Sequence, residues 1–253
     1  MHIHAVSAFD DNYIWIIHDT HHCVVIDPGQ ADGVIEFVSQ HQLTIAAILL
    51  THHHYDHTGG VNQLRQFTDC PVYGPDNPSI EGITDTVADG DTVSIAALGL
   101  KFSVLACPGH TLDHIAFYAR PWLFCGDTLF SAGCGRMFEG EPHQLWNSLQ
   151  YLTNLPDDTE VYCAHEYTEA NLRFAAVVEP DNEAIKTHQA WVKKKRQDGE
   201  RTLPSTLALE SNINPFLRCH LQSVKDAAQR RAQTSLIETV DVFACLRFWK
   251  DSF

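Results

Sequence analysis

Thr51-His52-His53-His54-Tyr55-Asp56-His57-Thr58-Gly59-Gly60 follows directly on the apolar run Ile48-Leu49-Leu50, and its reading decides the fold. A buried strand runs straight into H-x-H-x-D-H, and the two glycines let a helix begin tightly behind it. In extended chain, side chains two residues apart project to the same side, about 6.5–7 Å from one another. His52, His54 and Asp56 are therefore expected to converge while His53 and Tyr55 point away. His57 breaks the alternation and suits a second ion. Imidazole and carboxylate donors without thiolates favour zinc, iron or manganese in a reactive site over a closed structural zinc. A lone histidine is usually a surface or core residue. Three histidines and an aspartate at the mouth of an apolar strand form a much rarer pattern.

One such motif cannot complete two coordination spheres. Further ligand-type residues stand where later apolar runs end: His110 in Cys107-Pro108-Gly109-His110, Asp127 in Cys125-Gly126-Asp127-Thr128, and His165 in Cys163-Ala164-His165-Glu166. Each is a weak signal alone, since Asp127 also reads as a helix cap and His165 as a core histidine. Asp27, which closes the Cys23–Ile26 run, reads equally as a residue orienting a ligand and as a turn aspartate before Pro28-Gly29.

Outward from these motifs, short β-rich runs are expected at Tyr13–His18, Cys23–Asp27, Ile45–Leu50, Phe102–Cys107, Ile115–Tyr118, Trp122–Cys125 and Val161–Ala164. Helical patterns lie at Gly33–Gln40 and from about Gln144 to Leu152. After His165 the texture turns helical, over Ala170–Val178, Glu183–Lys195 and Val224–Ala232. A boundary near 166–172 is expected, giving a metallohydrolase domain over 1–167 and a helical domain over 168–253. The Lys193-Lys194-Lys195-Arg196 run reads as a solvated helix end.

The 253 residues carry 17 Lys+Arg against 32 Asp+Glu, a formal charge of -15 that repels nucleic acid and anionic membranes. No apolar run reaches membrane-spanning length. The start shows no basic leader, and the eight cysteines are irregularly spaced without a Cys-x-x-Cys pair. A cytoplasmic monomer with reduced thiols is the expectation, with no nucleic-acid or membrane partner.

Thr51–His57, Pro108-Gly109-His110, Gly126-Asp127-Thr128 and the distal His165 together resemble the metallo-β-lactamase superfamily. Three further segments narrow the likeness to its hydroxyacylglutathione hydrolase (glyoxalase II) family. They are Phe130–Arg136, His165-Glu166-Tyr167-Thr168 with Asn171-Leu172, and Asn214-Pro215-Phe216-Leu217-Arg218. The resemblance extends over essentially the whole chain. It implies an α/β fold, a four-layer αββα sandwich followed by a small C-terminal helical domain. It also implies two divalent metal ions, zinc first among zinc, iron and manganese, with His52, His54 and His110 on one and Asp56, His57 and His165 on the other. Asp127 bridges them.

The implied reaction is attack of a hydroxide shared by the ions on the thioester of S-(2-hydroxyacyl)glutathione, with Asp56 and Asp127 as the catalytic carboxylates. Arg136, Phe138, Tyr167 and Arg218 are the implied substrate contacts. The family often has tyrosine where Phe138 stands, and often further Lys or Arg after Arg218. The charge opposes a nuclease. The competing readings are a lactonase, a β-lactamase, an iron-dependent persulfide oxygenase and an inactive metal-binding protein.

Overall fold

The computed structural model describes all 253 residues. The chain packs as two compact units, Met1–Cys107 with Asp113–Gly126, and Pro108–Leu112 with Asp127–Phe253. These dividing points differ from the change of periodicity near residue 166. The difference arises because Asp127–Cys163 packs among the helices that follow it.

The first unit is built on a six-stranded sheet ordered β1 (His2–Ala8), β2 (Asn12–His18), β3 (His22–Ile26), β4 (Thr44–Leu49), β5 (Val72–Gly74) and β6 (Asp85–Thr86). The first three strands pair antiparallel and β3 to β6 pair parallel. Parallel pairing needs crossovers. Helix α1 (Asp32–Gln40) supplies the one between β3 and β4, and α3 (Val61–Phe67) lies between β4 and β5. Strands covered on both faces read as continuous apolar runs, which is why Ile14-Trp15-Ile16-Ile17 and Cys23-Val24-Val25-Ile26 are buried throughout. Val34 and Val38 of α1 and Val61 and Leu64 of α3 pack with Ile16, Val25, Ile48 and Val72 in one core. Each such side chain contributes about 1.5–3 kcal/mol on full burial.

A second group of strands in this unit is an antiparallel meander of β7 (Thr92–Ile95), β8 (Leu100–Ala106), β9 (Ile115–Ala119) and β10 (Trp122–Gly126). The short helix α2 (Tyr55–Thr58) stands between β4 and α3.

The second unit carries the hairpin β11 (Leu129–Phe130) and β12 (Gly133–Cys134), helix α4 (Pro142–Leu152) and strand β13 (Glu160–Cys163). Helices α5 (Thr168–Val178) and α6 (Glu183–Gln197) follow, then β14 (Ser205–Thr206) against β13, and α7 (Leu207–Ile213), α8 (Gln222–Ala232) and α9 (Thr239–Asp251). Their ends obey local chemistry. Pro142 opens α4, Asn182 accepts from the Ala184 and Ile185 amides, and Lys194, Lys195 and Arg196 occupy the last turn of α6 where cations suit the dipole. Leu172, Ala175, Ile185, Val192 and Ile213 form an apolar core with Ala132. Phe216 stacks on Phe174 and meets Phe243 edge-on.

Each expected run matches an observed element to within a few residues, while the short β5, β6, β11, β12, β14 and α7 fall outside them. Strands β1 and β7 escape the periodicity, because His2–Ala8 mixes histidines with small residues and Thr92–Ile95 is only four residues long. Helix α9 also lies outside the expected runs.

Candidate metal centre

In the first unit, β4 delivers Thr51 and His52 from its buried end, where the Ile115 amide donates to the Thr51 carbonyl (2.9 Å). His52 Nε2 and His54 Nδ1 lie 3.0 Å apart, so two ring nitrogens converge from alternate residues. His52 Nδ1 is engaged by Thr51 Oγ1 (3.0 Å), whose hydroxyl donates to Asp27 Oδ2 (2.7 Å). That relay leaves Nε2 of His52 as the nitrogen with its lone pair available.

The alternation inferred from sequence stops at His54. Asp56 arrives on the turn of α2, not on extended chain, because Tyr55–Thr58 closes into a helix. Its Oδ2 accepts from Asn12 Nδ2 (2.9 Å) and lies 3.4 Å from His57 Nε2. His57, fully buried, donates from Nδ1 to Asp27 Oδ2 (3.0 Å), so its Nε2 is the nitrogen turned to a ligand position. Asp27 also accepts the Thr51 amide (2.7 Å). It therefore orients the His57 ring and anchors the Thr51 backbone, as a carboxylate behind metal-ligating histidines does. His53 points elsewhere, donating to Asp113 Oδ1 (2.9 Å), and Tyr55 is exposed.

In the second unit, His110 donates from Nδ1 to the Arg136 carbonyl (2.7 Å), which turns its Nε2 to within 3.4 Å of Asp127 Oδ2. Asp127 Oδ1 lies 3.3 Å from His165 Nε2. Each oxygen of one carboxylate thus faces a different histidine. These separations exceed the roughly 2.7–2.9 Å of a charge-assisted hydrogen bond, as suits donors that face an ion and not each other. A Cβ at Gly135 would fall 2.0 Å from the Asp127 carbonyl oxygen, so only glycine permits this approach. The His165 ring stacks on Tyr167, with centroids 4.7 Å apart and planes at 6°.

The same unit holds a cavity of ≈ 370 Å³ with His110 and Asp127 in its lining. Phe138 is largely exposed in that lining and sets its ring edge-on to His110 at 5.3 Å. Tyr167 and three cations, Arg136, Arg247 and Lys250, complete the relevant wall. Arg247 is buried and donates to the Cys134 carbonyl (2.8 Å) and to Asp251 Oδ1 (2.9 Å). Burial, then the neighbouring Arg247 and Arg173 guanidiniums, hold the Lys250 ammonium below the usual lysine range. Three cations thus stand around one cavity in a chain of net charge -15, two of them sharing Asp251, since Arg136 Nε also reaches its Oδ1 (3.2 Å).

Sequence reasoning reaches Arg136, Phe138 and Tyr167 and misses Arg247 and Lys250. Their only signal is a spacing of three in a C-terminal helix, which puts both on one face without saying what that face meets. Arg218 lies outside this cavity's lining. It pairs in a two-pronged bridge with Glu179 (Nε to Oε2 2.7 Å, Nη2 to Oε1 3.0 Å) and donates to the Ser211 carbonyl.

The metallo-β-lactamase superfamily profile matches residues 8–165, and the profile of the hydroxyacylglutathione hydrolase C-terminus matches residues 166–253. A hydroxyacylglutathione hydrolase of Idiomarina loihiensis is 50% identical over 254 residues, covering 100% of both chains. One from Aliivibrio salmonicida is 51% identical over 253 residues, with 99% of each chain covered. Among solved structures, the BLEG-1 B3 metallo-β-lactamase superposes with a TM-score of 0.66 at 23% identity, over 85% of this chain and 99% of that one. ETHE1 from Myxococcus xanthus also gives 0.66, at 26% identity over 100% and 99%. These likenesses show the metallo-β-lactamase fold expected from the sequence.

Proposed function

This chain belongs to the hydroxyacylglutathione hydrolase family of the metallo-β-lactamase superfamily, and from that premise we propose its reaction and its working residues. It hydrolyses S-(2-hydroxyacyl)glutathione, S-lactoylglutathione foremost, to glutathione and a 2-hydroxy acid such as D-lactate, the second step of methylglyoxal detoxification. Identity near 50% over the full length carries this reading. The cationic cavity beside His110 and Asp127 supports it, because glutathione presents two carboxylates. A lactone has no such groups to offer.

The proposed centre holds two divalent ions, with zinc preferred over iron or manganese. Its ligands are His52, His54, Asp56, His57, His110, Asp127 and His165. Supporting this set, His52 Nε2 and His54 Nδ1 converge at 3.0 Å in the first unit, and Asp127 faces both His110 and His165 in the second. When bound, such ions supply a lowered pKa for water and polarisation of a carbonyl.

The chain's own residues do the rest. Asp127 holds two positions at once through its two oxygens. Asp56, steadied by Asn12, accepts a hydrogen bond from the attacking water and aims it. Arg136, Arg247 and Lys250 receive the glutathione carboxylates, Tyr167 offers its hydroxyl, and Phe138 closes the apolar side. Arg218 takes a structural role through Glu179. The attacking water, giving up a proton, first forms the C–O bond at the thioester carbonyl, and the C–S bond breaks as the resulting tetrahedral adduct collapses and releases the thiolate. No dedicated acid is needed, because a thiolate with a conjugate-acid pKa of about 8.5 leaves readily.

Residues 1–167 act as the metallohydrolase domain and 168–253 as the substrate-binding domain, in a cytoplasmic monomer. Eight free cysteines suit a reducing compartment, and no helix is long and apolar enough to cross a membrane. The deciding experiment is hydrolysis of S-lactoylglutathione beside a lactone and a β-lactam, with metal content measured on the same sample. Turnover of the lactone or β-lactam in preference to the thioester overturns the assignment.

A further inference from the structure

The segment from Leu129 to Arg136 starts two residues after Asp127 and ends at the carbonyl that orients His110, and its backbone is held at almost every peptide. Asn214 Nδ2 donates to the Phe130 (3.1 Å) and Gly133 (2.9 Å) carbonyls, and Asn171 Nδ2 to that of Ser131 (3.0 Å). Arg247 takes the Cys134 carbonyl, and the Gly135 amide closes back on the Thr128 carbonyl (3.1 Å). In the middle stands Ala132 at φ +54, a left-handed conformation that a residue with a Cβ keeps only when its surroundings enforce it.

Its amide is held by Glu210. The Ala132 amide donates to Glu210 Oε2 at 2.7 Å, Asn214 Nδ2 donates to the same oxygen (3.1 Å), and the Ser205 hydroxyl donates to Oε1. Glu210 is 0% exposed and has no cation among these partners. A carboxyl in such a place is costly unless hydrogen-bonded on every side, and a leucine would fill the space without that cost. Burial pushes its pKa up, while the donors around it pull the other way.

We infer that Glu210 is a positioning residue for the metal centre. By fixing the Ala132 amide, together with Asn214, it sets the path of residues 129–136, and with it Asp127 at one end and the Arg136 carbonyl behind His110 at the other. The C-terminal helices thereby tune two ligands while contributing none. This rests on the proposed function only in taking Asp127 and His110 as metal ligands.

The test measures zinc affinity by competition with a chelator on the full chain, thermal unfolding of the same samples, and kcat and KM on S-lactoylglutathione. Glu210→Ala is expected to weaken zinc binding roughly ten- to hundredfold, the usual range for a residue behind a ligand, and to lower kcat more than it raises KM. Glu210→Gln keeps an acceptor for the Ala132 amide and is expected to stay within about threefold of the parent, a loss below one ordinary hydrogen bond. A lowered unfolding temperature with unchanged zinc affinity and kcat, measured well below that temperature, overturns the inference.

If Glu210→Ala does not fold, Glu210→Asp takes its place. It keeps the carboxyl but is one methylene too short to reach Ala132, and parental zinc affinity in that variant likewise overturns the inference. A parent that binds zinc but fails to hydrolyse the thioester would sink the functional reading and leave the zinc comparison standing.

Discussion

The two sets of candidate ligands are made in different ways. His52, His54, Asp56 and His57 come from six consecutive residues just after β4, and Asn12, Asp27, Thr51 and the stacked His114 of the same unit help to orient them. His110, Asp127 and His165 come from three separate segments, and the parts that orient them are a backbone carbonyl, a glycine and a buried polar cluster on the C-terminal helices. The first set is encoded by adjacency. The second exists only once the helices have packed, so damage far from Asp127 should reach it more easily than distant damage reaches His52.

The largest expected effect removes the residue common to both proposed ions. Asp127→Ala should lower kcat/KM roughly a thousandfold, several kcal/mol at about 1.36 kcal/mol per decade, and release most of the second ion. Metal content near two per chain in a fully active Asp127→Ala sample would end the bridging role.

Arg218→Ala comes next, and it separates support from binding in the second set. Breaking the pair leaves the buried Glu179 carboxylate without its cation, although the Ser223 hydroxyl still donates to it (3.2 Å), and should cost about 3 kcal/mol of stability, read by denaturant unfolding. KM for the thioester should hardly move in the folded protein. A raised KM with parental stability would return Arg218 to the substrate.

Asp27→Asn probes the locally encoded set from behind. Losing the charge that orients His57 should weaken zinc binding roughly ten- to hundredfold, measured by chelator competition. No change would mean that the adjacency of residues 52–57 suffices without its anchor, which sharpens the contrast between the two sets.

The smallest effect falls on the cavity cations. Lys250→Ala should raise KM for S-lactoylglutathione about tenfold, one charged hydrogen bond partly screened, and leave a thioester without carboxylates unaffected. The pH dependence has a definite sign. Lys250 is held below its ordinary value of 10.5, and its ammonium is present below its own pKa and lost as pH rises through it. KM should therefore climb on the alkaline side before a free lysine titrates, and Lys250→Arg should flatten that limb. A limb unchanged in the arginine variant would show that another group titrates there.

The sequence by itself determined the superfamily and half of the strands, and it named the seven candidate ligands, because those signals are short-range. Ligand-type residues at the ends of apolar runs and a period of two or 3.6 survive in a linear string. It also marked Asp27 as one of two things, and the hydrogen bonds to Thr51 and His57 chose between them. Only the tertiary structure decided that Asp56 sits on a helical turn and that Arg247 and Lys250 face the cavity while Arg218 faces Glu179. It also decided that the buried Glu210 holds the backbone between Asp127 and Arg136. Charge and spacing alone cannot say which arginine meets a ligand and which meets a glutamate 39 residues away. The partner is set by which helix faces pack together, and that packing is a property of the assembled core.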